Sequence, residues 1–154
     1  MVRKSRGKPQ GKSSRPRPEA ENAPTVEDVV DSMERDRAEI VDRLREIALA
    51  LEGTDERTVY DGFFREWTPA VYVGDKQLFH VHNFRKGLRA TVFVGVSSLE
   101  PLALNSGEVS SAVRENVAAT SGRTMKQVKF PLDSVEDLEP LMELVRLKWS
   151  LEME

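Results

Sequence analysis

The chain has 154 residues, 39% hydrophobic and 32% charged, with a net charge of −3. That length builds one packed domain and is short for two. No run approaches the ~20 apolar residues of a membrane span, and the absence of cysteine excludes a disulfide scaffold, a cysteine-ligated zinc site and thiol catalysis.

The charge is unevenly spread. Residues 1–18 carry Arg3, Lys4, Arg6, Lys8, Lys12, Arg15 and Arg17 and no acid, a local +7, which leaves −10 on the rest. A segment with so little apolar surface does not offset the cost of ordering its backbone, about 1–2 kcal/mol per residue. Residues 1–24 therefore read as a disordered basic arm and residues 25–154 as a single domain. The basic start has no apolar stretch behind it, so it does not read as a secretory signal, and Val2 excludes myristoylation; the expected compartment is the cytoplasm. Gly7-Lys8-Pro9-Gln10-Gly11-Lys12-Ser13 falls one residue short of a phosphate-binding P-loop, and no strand precedes it. Arg6-Gly7-Lys8-Pro9 resembles a degenerate AT-hook, with Lys8 where that motif has arginine. The resemblance implies docking in the minor groove of DNA through residues 3–17. The alternative is a solvated tail with general affinity for polyanions.

From Thr25 the apolar residues recur at helical spacing, through Val26, Val29, Val30 and Met33, then Ile40, Val41, Leu44, Ile47, Ala48 and Leu51. Thr25 with Asp28 forms a start signal, Glu34-Arg35-Asp36-Arg37 interrupts the stripe, and Gly53 closes it. One long helix or two consecutive ones fit equally. The acids on the opposite face have arginines at i,i+4, so a solvated face is expected there rather than a cation site.

Beyond Thr54 the period changes to two. Thr68–Val73, Gln77–Asn83 and Leu88–Val96 read as three antiparallel strands on short turns at Gly74-Asp75-Lys76 and Arg85-Lys86-Gly87. Arg57–Tyr60 is a candidate edge strand. A helical start follows at Ser98–Pro101, then a helix from Ser106 to Gly122, and Met125–Phe130 gives a last alternating strand. Ser134–Asp137 forms a capping box before a terminal helix with Leu141, Met142, Val145 and Trp149 on one face. The fold class is α+β: a two-layer, mostly antiparallel sheet with N- and C-terminal helices packed on it.

In their order, Val26-Glu27-Asp28-Val29-Val30, Arg43–Ile47, Trp67-Thr68-Pro69-Ala70-Val71-Tyr72, Lys76–Phe79, Lys126–Phe130 and Asp137–Leu141 resemble the YdhG-like superfamily of small bacterial domains. That resemblance covers most of residues 25–150 and implies the same two-layer fold. One branch of the superfamily is assigned a frataxin-like iron-chaperone role, and no compact catalytic motif comes with the fold. Trp67-Thr68-Pro69 departs from the Trp-Gly-x-Pro-like turn of many relatives.

Chemistry-bearing residues are few. His80 and His82, the only histidines, share a strand face at i,i+2, where two imidazoles can reach one Fe²⁺ or Zn²⁺ if a carboxylate such as Asp61, Glu66 or Asp75 joins them. The competing reading is the polar face of a half-exposed sheet, with Phe79 and Val81 inward. Tyr60, Phe63, Phe64, Trp67 and Tyr72 concentrate five of the ten aromatics within 13 residues. Such a cluster is expected in the core where helix crosses sheet, and otherwise in a cleft. No Gly-x-Ser-x-Gly elbow occurs, and the serines stand at helix starts.

These residues point to a non-catalytic binding or interaction domain with no resident cofactor. Its partner would be a small ligand, an ion or a protein on a sheet face around Tyr60, Trp67, Tyr72, His80 and His82. The alternatives are DNA docking through the arm and iron or zinc handling through His80 and His82.

Overall fold

A computed structural model describes residues 22–154. The stripe from Val26 to Leu51 resolves into two helices, α1 (Val26–Asp31) and α2 (Arg35–Leu49). Thr25 and Asp28 form a reciprocal capping box at the first, satisfying amides that a helix start leaves unpaired. Four strands follow as a meander, β1 (Thr54–Asp61), β2 (Glu66–Val73), β3 (Lys76–Asn83) and β4 (Leu88–Gly95). Helices α3 (Leu99–Asn105) and α4 (Ser111–Ala119) lead to β5 (Met125–Pro131), and α5 (Leu138–Glu152) ends the fold. The sheet is antiparallel throughout, in the order β1-β2-β3-β4-β5, and the class is α+β.

The expected strands and helices are present with shifted limits. The first strand is a full eight residues, because Asp55, Glu56 and Arg57 conceal its alternation; Arg45 of α2 clamps Glu56 with two hydrogen bonds of 2.8 Å. The fourth helix starts at Ser111 rather than near Ser106, since Ser110 is the residue whose hydroxyl caps the Val113 amide. The capping box at Ser134 and Asp137 closes one turn of 3₁₀ helix, Val135–Asp137, directly before α5. Pro24 already lies against the sheet, accepting a hydrogen bond from the Thr58 hydroxyl at 2.9 Å.

All five α-helices of the described residues cover one face of the sheet. A continuous core joins Val30, Val41 and Leu44 of α1 and α2 to Val71, Phe79, Val81 and Val92 of the strands and to Leu141, Met142 and Val145 of α5. Gly74, at φ +62°, opens the two-residue hairpin between β2 and β3.

One irregularity decides what the other face carries. Val71 is opposite Phe79, yet its neighbour Tyr72 is opposite Gln77, so Leu78 is an extra residue in β3. Leu78 and Phe79 are both buried in the core. Gln77 is thereby put on the same side as His80.

The open sheet face as a candidate ligand site

The pairing register lays a row across the open face: Arg57, Ala70, His80, Thr91 and Lys129 stand abreast on successive strands. One residue pair along, His82 is opposite Arg89, and on the other side Phe93 is opposite Gln127. The β1–β2 turn, Gly62 to Arg65, borders this surface, with Arg65 in the left-handed region at φ 55°. Between turn and strands lies a cavity of ≈ 500 Å³. Its lining includes Asp61, Phe64, His80, His82, Arg89 and Thr91.

Asp61 organises the turn and the site together. Its Oδ1 accepts hydrogen bonds from the Phe63 and Phe64 amides at 2.9 and 3.1 Å. Its Oδ2 lies 2.7 Å from Nε2 of His82. Burial by itself raises the Asp61 carboxyl, but the hydrogen bonds from His82 and the two amides outweigh it and hold the group below its ordinary value. A carboxylate only accepts, so Nε2 of His82 carries the proton and Nδ1 is left with a lone pair in the neutral ring.

His82 is 3% exposed. Phe84 stacks on it with ring centroids 4.8 Å apart and planes 7° from parallel, and Phe64 meets both rings edge-on. His80 is held differently. Its Nδ1 is 2.7 Å from Oε1 of Gln77, whose Nε2 donates to the Tyr72 hydroxyl at 3.2 Å. Burial, reinforced by the neighbouring His82, pushes the His80 imidazole down to about 4. The ring is therefore neutral at pH 7, donates through Nδ1–H and presents Nε2 as an acceptor.

Four buried side-chain atoms have no hydrogen-bond partner among the described residues: Nδ1 of His82, Oγ1 of Thr91, Nε of Arg89 and Oε1 of Glu66. Buried polar groups are almost always paired, and these four are concentrated in one part of the molecule. His82, Thr91 and Arg89 line the cavity, and Glu66 stands opposite Asp61 on the adjoining strand. Burial, helped by the Asp61 charge and opposed by His82, raises the Glu66 carboxyl.

Of the residues the sequence singles out, Tyr72, His80 and His82 share this face. Tyr60 and Trp67 pair across β1 and β2 with centroids 5.3 Å apart, and by the alternation of both strands they belong to the helix side. The aromatic cluster does not fill the core as expected: none of its five members is buried, and Phe63 and Phe64 are 86% and 44% exposed. The turn held by Asp61 projects outward, which carries them away from the helix layer. Asp61 contacts His82 and lines the cavity, and Asp75 lies in the β2–β3 turn. Among the described residues no three His, Asp or Glu side chains converge as a metal would require. The AT-hook-like residues 3–17 lie outside the described residues.

Arg89, Thr91 and Gln77 go unnoticed in the sequence reading. A signal for two of them exists: Arg89 and Thr91 alternate on β4 as His80 and His82 do on β3, and a tight hairpin sets those pairs opposite each other. Gln77 joins them only through the bulge.

No protein-family model matches this chain, and neither the curated proteins nor the solved structures contain a significant match.

Proposed function

We propose that this chain is a small binding domain whose ligand is a small molecule held in the cavity on the open sheet face, between the Asp61–Phe64 turn and His80, His82, Arg89 and Thr91. The observation that carries the reading is the collection of unpaired buried polar atoms at this one place. Elsewhere among the described residues buried side-chain nitrogen and oxygen atoms are paired, including the ammonium of buried Lys126, which reaches Glu100 and the Val117 carbonyl. Leaving the three that line the cavity unpaired costs stability, and a ligand supplying complementary groups offsets that cost. The aromatic walls and fixed polar groups match the usual make-up of small-molecule sites, as does the volume.

The test is amide and imidazole chemical-shift mapping of the full chain against a library of small metabolites. Hits should perturb Phe64, His80, His82 and Thr91 together. Hits that consistently map to the helix side, or a library that leaves these four unmoved, would refute the proposal.

A second reading, iron or zinc handling, is favoured by one detail. His82 donates one ring nitrogen to a carboxylate and keeps the other bare, as metal-ligating histidines do, and His80 is oriented by Gln77 in the same manner. The two rings lie 4.9 Å apart and would supply two donors. Titration with Fe²⁺ or Zn²⁺ should then shift both imidazole signals at stoichiometric metal; unchanged signals reject it. The YdhG-like assignment is likewise our inference, and the order of sequence segments supports it.

A further inference from the structure

We infer that the ligand of this cavity is a small planar, aromatic-sized monocarboxylate, with its carboxylate on the guanidinium of Arg89 and its ring against the Phe64 and Phe93 side of the cavity. The inference rests on the binding-domain reading above and specifies its ligand class.

Arg89 carries the argument. Four arginines of the described residues are half-buried, at positions 37, 45, 89 and 114. Arg37 donates to Oδ1 of Asn83 and to the Phe84 carbonyl, Arg45 to Glu56 and Asp42, and Arg114 to the Ser106 and Val109 carbonyls. Arg89 alone donates to no described residue and faces no carboxylate within ion-pair distance. Its position is nevertheless fixed, because the guanidinium lies 4.6 Å over the Phe84 ring, which is itself stacked on His82. A planar fork of donors, preoriented on an aromatic face and lacking an internal acceptor, matches a bidentate carboxylate.

The surroundings narrow the charge and shape. Thr91, 1% exposed, brings an unpartnered hydroxyl to the same cavity, able to donate to a free lone pair of the ligand's carboxylate. His80 is neutral and adds no second cation. Asp61 lines the cavity and Glu66 stands opposite it on β2, whereas Arg89 is the one cation among the described lining residues, so a dianion would meet two carboxylates against a single guanidinium at the cavity wall. Phe93 lies beside His80, with ring centroids 5.5 Å apart, and Phe64 lines the same cavity. A flat apolar body is the complement of those walls.

Titration of the full chain with matched pairs tests this: benzoate against benzamide, indole-3-carboxylate against its amide, and phenylphosphonate as the dianion, followed by shifts at Thr91, His80 and the Arg89 side chain. The carboxylates should bind more tightly than their amides by about tenfold or more, and R89Q should erase that difference. R89K, which keeps the charge without the fork, should fall between. Amides binding as tightly as acids at the same cavity residues would overturn the carboxylate inference while leaving a ligand cavity in place. A preference for phenylphosphonate would overturn it in favour of a phosphate-like dianion. Absence of cavity shifts with every carboxylate at millimolar concentration also overturns it, and the metabolite library then judges the binding reading independently. Should R89Q fail to fold, the acid–amide comparison on the unaltered chain and R89K decide the matter.

Discussion

Nε2 of His82 lies 2.7 Å from Oδ2 of Asp61, although 21 positions separate the two residues in sequence. The same carboxylate receives the Phe63 and Phe64 amides, so one side chain both shapes the β1–β2 turn and fixes the tautomer of a buried imidazole. Turn geometry and site geometry are mechanically one unit.

Replacing Asp61 by Ala should therefore act twice. Three hydrogen bonds to an ionised acceptor disappear and His82 loses its one side-chain hydrogen-bond partner among the described residues, a combination expected to cost about 2–3 kcal/mol. Urea unfolding measures the loss, and the imidazole resonances of His82 should broaden as its tautomers mix. D61N retains an acceptor for one of the two roles and should fall between. A D61A chain as stable as the parent, with an unshifted His82, would show that the carboxylate organises nothing.

His80 predicts the acid response. In the unfolded chain its imidazole takes up a proton near 6.5, in the folded one only near 4. Between those values the unfolded state holds more protons, so stability falls as the pH is lowered from 6.5 to 4. The full effect is bounded at about 3 kcal/mol at the acid end. Denaturant midpoints followed across that window should slope downward for the parent and flatten for H80Q. Asp61, held below its ordinary carboxyl value of 3.8, adds a further loss only at pH below 3.8. Equal slopes for parent and H80Q would mean that the ring is protonated in the fold.

How far the sequence discloses this arrangement depends on whether a feature is local. Thr25 with Asp28 and Ser134 with Asp137 mark their caps by spacing alone, and alternation through residues 68–96 marks three strands. The bulge at Leu78 leaves only a local trace, two apolar residues in succession at Leu78-Phe79 where alternation calls for one, and which strand pairing absorbs the extra residue shows only against β2. It is this non-local step that turns Gln77 toward His80. Phe63 and Phe64 mislead for a related reason: hydrophobicity predicts burial on average, whereas Asp61 caps a turn that directs both rings outward. Arg89 is silent because its importance consists in a missing partner.

Lys148 governs the alkaline side. Its ammonium donates to the Phe93 carbonyl at 2.7 Å, and burial, only partly offset by Glu152, pushes it down to about 8 from 10.5. From pH 8 to 10.5 the unfolded chain again holds more protons than the folded one, so this group makes stability rise with pH across that interval. K148M should remove the rise. It also leaves the Phe93 carbonyl without that donor, so its stability at neutral pH is expected to stay within about 1 kcal/mol of the parent. A parent chain whose stability is flat or falling from pH 8 to 10 would place the charged ammonium in water instead.

Thr91 separates stability from binding. Its hydroxyl is 1% exposed and has no partner among the described residues, so folding takes it out of water without a replacement hydrogen bond. Valine has nearly the same shape without the hydroxyl. T91V should therefore stabilise the chain by about 1 kcal/mol, the reverse of what most core substitutions do. The same change removes a donor from the cavity and should weaken benzoate binding by several-fold, with the Arg89 fork still in place. Thermal unfolding and the benzoate titration, run on one preparation, read both quantities. A more stable T91V that binds less would identify the hydroxyl as a group kept for a ligand at the expense of the fold. A less stable T91V would instead mean that ordered water already satisfies the hydroxyl, and the count of unpaired groups at this site would drop by one.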